Sequence, residues 1–153
     1  MKRKLVLSVV LSVLLISMGC IHKASGPVTP MEKISTDWAV LGEFIQTAEA
    51  GTQAAATAGV ITAAQARPVI QFELQIAQNH QALTSVIQQG QTAITSSTAL
   101  QNFLTSVGTQ AQALVKLDVQ NPKTQQTISA DITFVVSLAN VIIADITALK
   151  GAS

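Results

Sequence analysis

Charge is scarce in this 153-residue chain: Asp, Glu, Lys and Arg make up 11% of it, against roughly a quarter in an ordinary soluble domain. Aromatic residues are rarer still at 3%, and tyrosine is absent. A net charge of +1 with no basic face argues against nucleic-acid binding, which needs clustered Lys and Arg to displace counterions. A single cysteine excludes an internal disulfide framework. Two histidines and no tyrosine leave little equipment for general acid–base work. There is no phosphate-binding Gly-rich loop, no Gly-x-Ser-x-Gly and no His-Glu-x-x-His, and Gly51 and Gly59 are too isolated to cradle a phosphate. No catalytic residue, metal site, cofactor or small-molecule substrate is called for, and an enzyme is not expected.

What is present is apolar and neutral. Hydrophobic residues reach 48%, which argues against disorder, and the polar mass is largely Gln and Thr. Glutamines at 46, 53, 71, 75, 78, 81, 88 and 89, continued by Gln110, Gln112, Gln125 and Gln126, should cover the surface with uncharged amides. Such a surface serves solubility, and it also opposes contact with itself or with another envelope component only weakly, because like-charge repulsion is small.

The amino terminus is organised differently from the rest. Lys2-Arg3-Lys4 precede a charge-free apolar stretch, Leu5 to Ile16, which ends in Ser17-Met18-Gly19-Cys20. A basic start, a short apolar helix and small residues after it are the layout of a secretory signal peptide, with the positive charges held on the cytoplasmic side. The charge-free run to Ile21 sits at the short edge of what crosses a bilayer, so the competing reading is an uncleaved signal anchor.

The cysteine directly after this stretch, with Gly19 before it, resembles the lipobox of bacterial lipoproteins, over residues 1–20 only. In that family signal peptidase II cuts before a cysteine whose thiol carries diacylglycerol. The position three before the Cys, where Leu is usual, holds Ser17. The resemblance implies lipidation of Cys20 with palmitate-type acyl chains, and a cleavage context supplied by Ser17, Met18 and Gly19. Each buried methylene contributes about 0.8 kcal/mol, so two or three chains anchor stably where one is marginal. Family members destined for inner-membrane retention often carry Asp after the cysteine. Ile21 stands there instead, which implies the periplasmic face of the outer membrane in a cell that has one. The expected division is therefore a signal peptide at 1–19, a lipidated Cys and flexible tether at 20–28, and a helical domain at 29–151. His22 falls in the tether without a partner for a metal.

The remainder predicts an all-α fold, an elongated antiparallel up-down four-helix bundle. Thr29-Pro30-Met31-Glu32 and Thr62-Ala63-Ala64-Gln65 read as capping boxes. Four apolar seams follow, the first and fourth at alternating four- and three-residue spacing. The first runs Ile34, Trp38, Leu41, Ile45, Ala48, Thr52, Ala55, and the second Val69, Phe72, Ile76, Leu83, Val86. The third runs Leu100, Phe103, Leu104, Val107, Ala111, Leu114, Leu117, and the fourth Ile128, Ile132, Val135, Ala139, Ile142, Ile146, Leu149. Helices of about 25 residues would make a rod about 38 Å long. Gly59, Gly90 and Lys150-Gly151 read as stops, Asn121-Pro122 as a start, Thr98 as the cap of the third helix, and Gln91 to Ser97 as a loop or frayed end. Pro68 should kink or delay the second helix.

Among polar residues, Glu73 and His80 share a helical face, but a di-metal bundle needs Glu-x-x-His, which the sequence lacks. Asn79 interrupts the second seam. Asp131 and Asp145, with Ser137 and Asn140, should form the solvated stripe of the fourth helix. The functional expectation is an envelope lipoprotein, from a bacterium or its phage or prophage, with a non-catalytic binding or structural domain. Its partners would be membrane lipid through acylated Cys20, and an unidentified envelope protein or a second copy. The alternative is a membrane-active protein, holin-like or pore-forming, that keeps its amino-terminal span.

Overall fold

The computed structural model describes residues 28–114, 119 and 121–151, and these are all-helical with no strand. Five helices occur among them: α1 (Pro30–Thr57), α2 (Ala63–Gln88), α3 (Gln91–Ser96), α4 (Thr98–Leu114) and α5 (Pro122–Gly151). The expected signal peptide, its cleavage context at Ser17, Met18 and Gly19, Cys20 and His22 all lie outside the described residues.

Local chemistry sets the helix ends. The Thr29 hydroxyl accepts from the Glu32 backbone N–H at 3.2 Å while the Glu32 carboxylate accepts from the Thr29 N–H at 2.9 Å. Hydrogen bonds donated to the Glu32 carboxylate by the Thr29 backbone N–H and, second, by the Thr29 hydroxyl hold that carboxyl below its ordinary range. Thr62 and Gln65 repeat the exchange at the start of α2. At the other end of α1, Gly59 takes φ +68°, and the N–H groups of Gly59 and Val60 reach back to the carbonyls of Ala56 and Ala55. This is a Schellman stop, which requires the left-handed conformation that glycine adopts without strain. Gly90, at φ +90° and ψ −169°, follows α2 in an extended positive-φ conformation that is essentially confined to glycine.

Three local expectations change. Gln91–Ser96 forms a short helix, α3, because Ile94 is wholly buried and holds the segment against α2 and α5. The cap of α4 is Ser97, whose hydroxyl accepts from the Leu100 N–H at 3.1 Å, and Thr98 is already helical. Helix α2 begins at Ala63 and runs unbroken through Pro68. The start of α5 is as expected, with the Asn121 side chain accepting from the N–H groups of Lys123 and Thr124.

Packing follows the seams. Ile34, Trp38, Leu41 and Ile45 of α1 and all seven seam residues of α5 are buried and join one continuous core with α2 and α4, and Ala48 is buried beside them. On α2 the last seam position shifts from Val86 to Ile87. Each of the four long helices packs against two others, α1 and α4 each contacting both α2 and α5. The start of α1 lies beside the end of α5, where Lys33 meets Asp145 at 2.9 Å, and Phe44 meets Phe134 with centroids 4.4 Å apart. The two helices therefore run in opposite directions, as do α1 and α2, where Trp38 meets Thr84 and Thr52 meets Glu73. The glutamines at 46, 53, 71, 75, 78, 81, 88 and 89 are exposed.

Candidate functional site

Two polar clusters interrupt the apolar interior, at opposite ends of α1. The first contains Glu73. Its neighbour Phe72 is on the buried seam, and the α-helical turn carries the Glu73 side chain inward with it, leaving the residue 4% exposed. The Thr52 hydroxyl of α1 donates to Oε1 at 3.0 Å. Oε2 is buried and has no hydrogen-bond partner. Glu73 and Asp131 line a cavity of about 10 Å³ whose other walls include Phe44, Ala48 and Val69. Burial pushes the Glu73 carboxyl up to about 7; the Thr52 bond opposes this, and the negative charges of Asp131 and Glu49 add to it. Burial likewise raises Asp131 to about 6.

Asp131 thus departs from the expected solvated stripe, because its position beside Ile132 faces the α1–α2 junction. Asp145 also turns inward, to Lys33. The pairing raises the Lys33 ammonium above its ordinary value, chiefly through the hydrogen bond to Asp145. Asp37 lies nearby and is raised by burial, with Lys33 opposing and Asp145 adding. Between Lys123 and Lys150 the exposed positions of α5 consequently carry no charge. Ser137 and Asn140 are on that face as expected.

The second cluster surrounds Trp38, which is buried as expected. Its indole N–H donates to the Thr84 hydroxyl at 3.1 Å, and that hydroxyl donates to the His80 carbonyl at 2.7 Å. The His80 ring stacks on the indole with centroids 4.6 Å apart. Its Nε2 lies 2.8 Å from the Trp38 carbonyl, and since a carbonyl only accepts, Nε2 carries the proton. Phe103 closes the indole's edge from α4. Glu73 and His80, on one face by sequence, therefore serve separate clusters. Asn79 is half-buried and returns its amide N–H to the Gln75 carbonyl of its own helix.

The Glu73 cavity has room for about one water molecule, far below the few hundred Å³ that a small substrate occupies. It can hold and release a proton, because a carboxyl with a value near neutrality changes charge in the physiological range. Among the described residues no three His, Cys, Asp or Glu side chains are grouped to hold a metal ion. The Glu73–Asp131 approach joins residues far apart in sequence. Its one sequence signal is that each acid directly adjoins a seam residue.

No family model matches the chain, and neither a curated protein nor a solved structure is found to be similar to it.

Proposed function

We propose that the chain is a lipid-anchored protein of the bacterial cell envelope whose helical domain binds or supports other envelope components without catalysis. The observation that carries this reading is the order Lys2-Arg3-Lys4, Leu5 to Ile16, Gly19-Cys20, a basic start, an apolar stretch and a small residue before the only thiol. A free thiol in an oxidising compartment is a liability that a thioether to lipid removes. The capping box at Thr29 supports a domain that starts a short tether after Cys20. In this reading α1, α2, α4 and α5 form an antiparallel up-down four-helix bundle, with α3 inserted at the turn between α2 and α4. The support is that each long helix has two long neighbours and that α1 opposes both of its own. The uncharged face of α5 and the glutamine-covered α1 and α2 are the surfaces offered to a partner or a second copy.

Intact mass spectrometry of the protein made in a bacterium, beside Cys20→Ser, tests the anchor. Loss of residues 1–19 with a gain of acyl mass, absent in Cys20→Ser, is expected. A full-length chain of unmodified mass sinks the reading.

A second reading has one observation in its favour. Helix α5 is long and apolar enough to cross a bilayer, and only a third of its most apolar window is buried within the protein. A membrane-active protein, holin-like or pore-forming, would use it together with a retained amino-terminal span. Dye release from liposomes on adding the protein supports this reading, and intact liposomes count against it.

A further inference from the structure

We propose that Glu73 and Asp131 form a proton latch, one proton shared across the small cavity between them holding the junction of α1, α2 and α5 closed, and loss of that proton loosening it.

Glu73 is nearly inaccessible, and only one of its two oxygens has a partner. An ionised carboxylate left that way lacks the hydrogen bonds that offset desolvation, whereas the neutral acid turns its orphan oxygen into a donor. The cavity that Glu73 shares with Asp131 is the size of one water, which could carry that donated bond across to the second carboxyl.

Among the described residues, the surroundings offer little to neutralise two negative charges. From α1 the facing groups are the Thr52 hydroxyl and the acidic Glu49; from α5 the facing group is Asp131 itself. Helices α3 and α4 contain no titratable residue. On α2 itself the basic residue nearest in sequence, Arg67, is solvent-exposed. Ionisation of both acids therefore places like charges in a poorly solvated junction, where repulsion is strong and separation of the helices is the relief. The shifts of both carboxyls agree in direction, Glu73 standing at about 7 and Asp131 at about 6.

Both folded-state values are raised, so the folded chain holds protons that the unfolded chain releases. Stability is full below the ordinary carboxyl range and declines as pH rises through about 6 to 7.

The test is thermal unfolding of the full-length chain in nonionic detergent between pH 5 and pH 8, beside Glu73→Gln and Asp131→Asn. The wild-type midpoint is expected to fall by about 10 °C over that range. Glu73→Gln keeps an acceptor for Thr52 and a donor toward the cavity without the charge, so its midpoint should be nearly flat between about pH 6 and pH 8, keeping only the fall that Asp131 contributes below about 6, and should lie above wild type at pH 8. Asp131→Asn should show a reduced slope. A wild-type slope that both variants retain overturns the proposal. Should a variant not fold, the wild-type chain still answers: carbon NMR of the Glu73 carboxyl must titrate near 7, and an ordinary midpoint near 4 overturns the latch.

Discussion

Gly42 of α1 lies directly beneath the imidazole of His80, so close that a Cβ at position 42 would overlap the ring. The contact explains a glycine in mid-helix, where the residue is otherwise unfavourable by about 1 kcal/mol relative to Ala. Gly42→Ala should push His80 off Trp38 and break its bond to the Trp38 carbonyl, with a net loss of about 1–2 kcal/mol once the helix gain is set against the overpacking. In a His80→Ala background the same change should become neutral or stabilising. Urea unfolding of the four proteins of this cycle measures the reversal, and additive losses would show that the two residues are not in contact.

Gly51 and Gly108 supply the comparison. Both are helical, and a Cβ at either meets nothing within 4 Å. Gly51→Ala and Gly108→Ala should each stabilise by about 0.5–1 kcal/mol, because only the backbone freedom of the unfolded chain changes. A loss at either position, read by the same unfolding curves, would mean that the helix surface there is covered.

Thr52→Val probes the latch from its other side. Among the described residues the Thr52 hydroxyl is the one group that favours the ionised form of Glu73, so removing it should raise the Glu73 carboxyl further. The falling limb of stability should then move to higher pH. At pH 8 the variant should lose about 1–2 kcal/mol, because a buried acceptor loses its donor. A limb shifted to lower pH would contradict the assignment of donor and acceptor.

How much of this was legible beforehand depends on range along the chain. The seam of α5 from Ile128 to Leu149 is buried at every expected position, because one period and one core specify it. The Thr29 and Thr62 capping boxes are local exchanges within one turn, and they form as their spacing implies. Helix α3 is hidden in the sequence because a polar segment with one large apolar residue, Ile94, gives no period, and only the core that receives Ile94 selects the helix. The inward position of Asp131 escapes the sequence for a related reason. Helical angle alone puts it off the seam of α5, but the width of the buried face is set by how α1 and α2 sit against it. The pairing of Asp145 with Lys33, and the neutral exposed face of α5 that results, depend on the same long-range contact.

Asp37 should respond to neutralisation in the opposite sense to a paired acid. It is half-buried, its Oδ2 has no partner, and Asp145 adds like charge beside it. Its raised folded value means that ionisation destabilises, so the cost is absent at low pH and present above the ordinary carboxyl range. Asp37→Asn should therefore raise the thermal midpoint at pH 7 by about 2 °C and leave it unchanged at pH 3. A lowered midpoint at pH 7 would show that Asp37 instead assists Lys33.

Val141 and Ile142 are adjacent on α5 but face opposite environments, Val141 being 39% exposed and Ile142 wholly buried. In a water-solvated bundle the two respond very differently to truncation. Ile142→Ala removes buried methylenes and leaves a cavity, which costs about 2–5 kcal/mol. Val141→Ala replaces an exposed branched residue with a better helix former and should fall within about 0.5 kcal/mol of wild type. If α5 instead lay in a bilayer, the Val141 face would contact lipid, and its truncation would weaken membrane retention. Measured on the full-length chain, a large loss at 142 with none at 141, and unchanged membrane retention of both variants, places the packing of α5 in the bundle. Release of the Val141→Ala protein from the membrane fraction would transfer the weight to the membrane-active reading.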